Sequence, residues 1–288
     1  MRRREAGESV LARQQRFNRL TRNNRESFES HRLRVTRHIL SASRPGARRL
    51  CILGAGNAND LDLELLAHAF QEVHLADLDR EALARAASRA PARRANLRLH
   101  GGVDLSGIVG ALDSSGPARA DDARRDRSIR ELIRRARETP SPEIGGPFDM
   151  VVSTCLLTQL MNAAAGVVGA AHPRLDELLA AIRTAHLCLL AKTTAPGGSA
   201  ILICDVASSD DHPRIATADD DELATLASQL AAKQLYFAGA GFAEMERQLR
   251  EHPVLSRSVT GVKTLPPWRW RISPRRTFLV LAITFQKR

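Results

Sequence analysis

At 288 residues and 43% hydrophobic content, the chain can build one large α/β domain with appendages, while two domains would be tight. No apolar run reaches the roughly 18–20 residues of a membrane span, and the start Met1-Arg2-Arg3-Arg4-Glu5 lacks the apolar centre of a signal peptide, so a cytoplasmic protein with no membrane partner is expected. The net charge of +11 is concentrated in residues 1–50, which hold fourteen Arg against four Glu; the rest is nearly neutral, and a solvated basic arm is a plainer reading than an RNA-binding one.

In chain order, residues 1–47 read as a basic helical arm or cap. Val10, Leu11, Phe17, Leu20, Phe28, Leu33, Val35, Ile39 and Leu40 form a rough helical stripe in one or two helices, and Ser41 to Gly46 breaks it. A strand follows at 49–53, a helix at 60–69 and a strand at 72–76. Asp79 suits the cap of a helix running to Arg89. A third strand spans 97–100 and ends near Asp104. Residues 107–147 read as a polar insertion, mobile or lid-like, whose helical run from Asp121 to Glu138 has only Ile129, Leu132 and Ile133 as an apolar face. Strand 148–153, an apolar helix at 174–191 closed by Pro196-Gly197-Gly198, and a continuous apolar strand at 199–205 come next. A helix at 219–238 and a hairpin of 268–272 with 277–285 end the chain. Such alternation of strands and helices gives a mostly parallel sheet with helices on both faces.

Chemistry concentrates in the first strand-turn-helix unit, Cys51-Ile52-Leu53-Gly54-Ala55-Gly56-Asn57-Ala58-Asn59-Asp60, and in the acid that ends the next strand, Asp77, seventeen residues after Asp60. Glycines let backbone approach a ligand, and an acid in that place accepts hydrogen bonds from ribose hydroxyls. The third glycine of a dinucleotide fingerprint is replaced by Asn59. Asp60, Asp62 and Glu64 make an acidic helix start that repels a pyrophosphate. A nucleoside carrying positive charge and no phosphate fits better.

On these residues the chain resembles the class I S-adenosylmethionine-dependent methyltransferases over roughly 48–288. The resemblance implies an α/β fold, a doubly wound, mostly parallel seven-stranded Rossmann-like sheet with a C-terminal antiparallel hairpin, here preceded by N-terminal helices. It implies S-adenosylmethionine as cofactor. Gly54, Ala55, Gly56 and Asn57 would form the loop beside the methionine part and ribose, and Asp77 would bind the ribose hydroxyls with Leu78 on the adenine. Asp104 would accept the adenine amino hydrogen, with Val103 or Leu105 near the ring. Ser153 and Thr154 would line the floor beneath the methyl, and Asp60 would meet the ammonium group. Two departures are Ile52, where the family often has an acid, and Ala58, where it often has a third glycine.

No catalytic residue stands out, since methyl transfer needs alignment first and a base only for a weak nucleophile. Asp205 and His212 sit where an acceptor pocket should open. Cys155 reads as a packed thiol, and Trp268 and Trp270 share one strand face suited to packing. Cys51, Cys155, Cys188 and Cys204, like the nine histidines, show no metal-ligand spacing, so no metal is expected. Arg13, Gln14, Phe17 and Asn18 are the arm residues placed to reach the site. The expected acceptor is a small molecule, with RNA second. A nicotinamide-dependent oxidoreductase and a non-catalytic nucleotide- or RNA-binding protein are the alternatives. Oligomeric state is left open.

Overall fold

The structure, a computed structural model, describes residues 8–114, 122–138 and 140–288. The basic start Met1 to Glu5, and the part of the expected insertion at 115–121 and 139, lie outside the described residues. The chain opens with two helices, α1 (Val10–Thr21) and α2 (Glu29–Ala42). Then follow β1 (Arg49–Leu53), α3 (Leu63–Ala69), β2 (Glu72–Asp77), α4 (Arg80–Ala87) and β3 (Leu97–Gly101). The second half holds α5 (Val109–Ser114), α6 (Asp122–Ala136), β4 (Phe148–Thr154), α7 (Leu156–Val168), α8 (Leu175–Thr193) and β5 (Thr194–Ser208). It closes with α9 (Asp220–Ala232), α10 (Phe242–Glu251), α11 (Leu255–Ser258), β6 (Val259–Ser273) and β7 (Arg276–Lys287).

The seven strands form one sheet in the order β3-β2-β1-β4-β5-β7-β6. The first five are parallel, and β7 runs antiparallel to both β5 and β6. Side chains alternate between faces, so each strand feeds two cores. Leu50, Ile52, Met150, Val152, Ile201 and Ile203 pack with α2, α3 and α4 on one side. Cys51, Leu53, Val151, Leu202 and Cys204 pack with α6, α7, α8 and α10 on the other. Chain order reverses between β1 and β4, and a crevice opens at the carboxyl ends of strands at such a point.

The element boundaries differ from the sequence expectation where a cap or a register shift decides them. α3 starts at Leu63 because the Asp62 side chain, not that of Asp60, accepts the Leu65 N–H. Pro196 to Gly198 do not close off the preceding helix: they lie inside β5, across a register shift beside Phe148 and Met150. α9 stops at Ala232, where Gln234 turns left-handed at φ 54°. α7, α10 and α11 are helices that the spacing did not give; α7 is apolar nearly all round, so it has no stripe to read. α6 buries Ile129, Leu132, Ile133 and Ala136 in the core it shares with α8.

The hairpin is tied to α2 by aromatic contacts. Trp268 and Trp270 share a face, as their spacing implied, and both are buried. His31 stacks on Trp270 at 4.6 Å and 16°. Trp268 Nε1 donates to His31 Nδ1 at 2.9 Å, and burial drives the imidazole down to about 3, so it stays neutral and can accept. Trp268→Ala removes both packing and this bond, and is expected to lower stability by about 3–5 kcal/mol in urea unfolding.

Candidate active site

The loop after β1 turns through three left-handed residues, Gly54 at φ 78°, Gly56 at φ 48° and Ala58 at φ 50°. Ala58 thus takes up the glycine-like conformation, a strain on the order of 1 kcal/mol for an L residue. At Gly54 even a methyl is excluded, because a Cβ there would sit 2.8 Å from Leu156 Cβ. The turn aims the Gly56 N–H at Asp77, whose Oδ2 accepts it at 2.9 Å, while Oδ1 accepts the Asp79 N–H at 2.8 Å. Asp77 is only 3% exposed, and burial pushes its carboxyl up to about 6. Asp79 is a helix cap: its Oδ1 accepts from Glu81 and Ala82, and its Oδ2 from Asn18 Nδ2 at 2.9 Å.

The asparagines of the loop latch α1 in place. Asn57 Nδ2 donates to Asn18 O, and Asn59 Nδ2 to Thr21 O, each at 2.7 Å. Arg89 joins Asn57 O, Asn59 Oδ1 and Arg22 O. At the other end of α1, the Val10 N–H donates to Asp113 Oδ1 at 2.7 Å. The helix therefore bridges α5 and the glycine loop across the carboxyl ends of the strands.

Beneath it lies a cavity of about 580 Å³, within the size range of small-molecule sites. Gly54, Asp77, Leu78, Val103, Asp104 and Leu105 line one part. Cys155, Leu156, Gln159, Asn162 and Asp205 continue the wall, with Phe237, Trp270 and Phe278 beyond. Val10, Arg13, Gln14 and Phe17 of α1 line it as well.

Five of the residues expected to bind cofactor thus share one cavity: Gly54, Asp77, Leu78, Asp104 and Leu105. The Asp104 carboxylate is engaged by its own loop. Oδ1 accepts from the Ser106 and Gly107 N–H groups and the Ser106 hydroxyl, and Oδ2 from the Val109 N–H at the start of α5. Ala55 packs in the core below the loop, and the Asn57 side chain faces α1. Ser153 points away into the α8 layer, fully buried, with its Oγ 2.8 Å from His186 Nε2. Thr154 is buried and donates to Gly54 O at 3.2 Å. Asp60 lies beside Thr154 and is not itself on the lining, although Asp77 and Cys155 feel its charge, and burial pushes its carboxyl up to about 7. His212 is also absent from the lining, whereas Asp205 is on it.

Sequence reasoning missed Gln159 and Asn162, three residues apart on one face of α7 and visible as polar side chains in a mostly apolar helix. It favoured packing for Trp270, and that residue packs on α2 and lines the cavity as well. Cys155 is buried in a left-handed conformation at φ 50°, and burial raises its thiol well above the ordinary range, so it is an inert thiol.

Electrostatics narrow the ligand class. The α3 N-terminus, where a pyrophosphate would sit, is taken by Asp62: its Oδ1 accepts the Leu65 N–H at 3.1 Å and its own N–H donates to Thr36 Oγ1. Among the described residues no group of three or more His, Cys, Asp or Glu could hold a metal ion. Also among them, no helix is long and apolar enough to cross a membrane.

No protein-family profile matches the chain, and no curated protein does. Similar solved structures include a methyltransferase domain described as bacterial CtHen1-CN, 13% identical over 90% of this chain and 99% of that one, with a TM-score of 0.45. N-methyltransferase NodS from Bradyrhizobium japonicum WM9 is 15% identical over 90% and 96%, with a TM-score of 0.39. O-methyltransferase TomG from Streptomyces achromogenes is 13% identical over 91% and 78%, with a TM-score of 0.36. Likenesses this distant do not identify a relative. The sheet order and closing hairpin of this chain are themselves those of the Rossmann-like methyltransferase fold that the sequence resemblance implied.

Two predictions concern the site itself. Gly54→Ala forces a left-handed alanine against Leu156 and is expected to abolish ligand binding while far-ultraviolet circular dichroism stays native-like. Asp60, raised from 3.8 to about 7, binds its proton more tightly folded than unfolded, so its contribution is present below pH 4 and lost as pH rises through 7. His31 and His186, lowered to about 3 and about 4, act oppositely below pH 6.5, so the check is differential. The stability of Asp60→Asn relative to the unsubstituted protein, from urea unfolding, is expected to grow between pH 5 and pH 8.

Proposed function

We propose that this protein transfers a methyl group from S-adenosylmethionine to a small-molecule acceptor. The observation that carries the reading is a single cavity that joins a left-handed glycine loop and a buried strand-end acid, Asp77, to a chamber with an aromatic side, roofed by α1. The residues fit the cofactor. Asp77 retains lone pairs beyond those taken by Gly56 and Asp79, enough to accept the ribose hydroxyls. Leu78, Val103 and Leu105 offer an apolar slot for a base. Asp77, Asp104, Asp205 and Asp211 line the cavity alongside Arg13, Arg16 and Arg276, and the four acids suit a sulfonium and an ammonium. When bound, S-adenosylmethionine supplies an electrophilic methyl group on positively charged sulfur. The protein's part is to hold acceptor and methyl in line and keep water out, effects that can account for several kcal/mol of the barrier.

The roof favours a small acceptor over RNA. α1 is latched at both ends, and an acceptor must fit in the remaining chamber. Asp62 at the α3 N-terminus disfavours a nicotinamide dinucleotide. Calorimetric titration with S-adenosylhomocysteine tests the reading, with NAD as control. Micromolar binding is expected, at least tenfold weaker in Asp77→Ala, with no heat from NAD. Binding of NAD alone would support an oxidoreductase, and salt-sensitive RNA binding without S-adenosylhomocysteine binding would support a non-catalytic protein.

A further inference from the structure

Two residues that line the chamber beyond the glycine loop, Asp205 and Trp270, each carry a buried polar atom with no hydrogen-bond partner, Oδ1 and Nε1. Asp205 is on β5, across β4 from the loop after β1, and lines the same cavity as Gly54. Trp270 is only 6% exposed. Its ring, Phe278 at 5.4 Å and Phe237, which meets Phe278 edge-on at 6.2 Å, make an aromatic side to the chamber. Leaving a carboxylate oxygen and an indole N–H unpaired in a desolvated place is unfavourable, each on the order of 1–3 kcal/mol. Such atoms mark where a ligand's polar groups belong.

The charges around Asp205 decide the sign of that ligand. Arg276 on β7 is its cationic neighbour, but it pairs with Asp210 at 3.1 Å and lies over the Phe278 ring. Arg16 pairs with Glu8. Thr158 and Cys155 approach from α7, and Asp211 lines the same cavity from the loop after β5. Arg13 contributes from α1. An unpaired acid oxygen beside aromatic faces suits a cation, because both attract positive charge.

Resting on the proposed methyl-transfer reading, we propose that the acceptor is an arylalkyl primary or secondary amine that binds as its ammonium form, and that Asp205 is the catalytic residue that accepts an ammonium proton. The freed nitrogen lone pair forms the N–CH3 bond as the C–S bond breaks. Both C–S electrons remain on sulfur, giving neutral S-adenosylhomocysteine, and the methylated nitrogen carries the positive charge. The Trp270 N–H holds an oxygen or other acceptor atom on the ligand body. Burial pushes the Asp205 carboxyl up to about 7, which suits a group that exchanges a proton near neutrality.

The experiment is calorimetric titration of the protein saturated with S-adenosylhomocysteine. The probes are matched benzyl, phenethyl and indolylethyl amines, alcohols and carboxylates. At least one amine is expected to bind tenfold or more tighter than its alcohol and carboxylate. Asp205→Asn is expected to weaken that amine at least tenfold while S-adenosylhomocysteine affinity stays within twofold, which reports that the variant is folded. Alcohols or carboxylates binding as well as the amines, no binding by any amine, or an unchanged amine affinity in Asp205→Asn overturns the proposal. The amine-to-alcohol ratio of the unsubstituted protein decides it even if the variant does not fold. Absence of S-adenosylhomocysteine binding overturns the methyl-transfer reading and this proposal together. S-adenosylhomocysteine binding without amine preference overturns this proposal alone.

Discussion

The site depends on one buried carboxylate. Asp77 ends β2 with 3% exposure and accepts the Gly56 and Asp79 N–H groups through its two oxygens. Those bonds join the loop after β1 to the start of α4, although 21 residues separate Gly56 from Asp77. A buried acid this close to the interior is tolerated only because backbone donors face it. Meeting them requires the loop to pass through left-handed backbone at Gly54, Gly56 and Ala58. With the loop so fixed, Asn57 and Asn59 turn outward and hold α1, and α1 in turn encloses the cavity. Acid, loop, latch and roof form one causal sequence.

The sheet divides the chemistry between its faces. Successive residues at the end of β4 point in opposite directions, so Ser153 reaches His186 under α8 while Thr154 meets Gly54 across the β1–β4 switch. Parallel pairing of β4 with β5 ends with Ile203 beside Thr154, so Asp205, still within β5, lies past the end of β4 and lines the cavity. β7, running antiparallel to β5, places Phe278 and Arg276 at that same end, and β6 adds Trp270. The hairpin is therefore a wall of the chamber as well as an edge of the sheet.

The legible parts of this design were the local ones. The apolar run Leu50 to Leu53, the two glycines and the acid closing β2 are fixed within a few residues of chain, and they appear in the structure where the sequence put them. Asp104 was harder, since a carboxylate at a strand end looks the same whether it meets a ligand or caps the next helix. The choice here was made by the N–H groups of Ser106, Gly107 and Val109. Ser153 was hidden by parity, because one residue decides which face a side chain meets. That α1 reaches the site was read from Arg13, Gln14, Phe17 and Asn18, but its anchors on Asp113, Asn57 and Asp79 were hidden by distance, since they lie 39 to 103 residues away. A stripe of Arg and Asn among scattered apolar residues carries no trace of them.

Hydrogen–deuterium exchange, with and without saturating S-adenosylhomocysteine, addresses the central claim most directly, because it locates the ligand and the roof together. The account predicts added protection in three segments: 10–20 of α1, the loop at 54–59, and the end of β2 at 77–78. Protection confined to the arginine-rich outer surface, or none in the loop while the ligand is demonstrably bound, would contradict it.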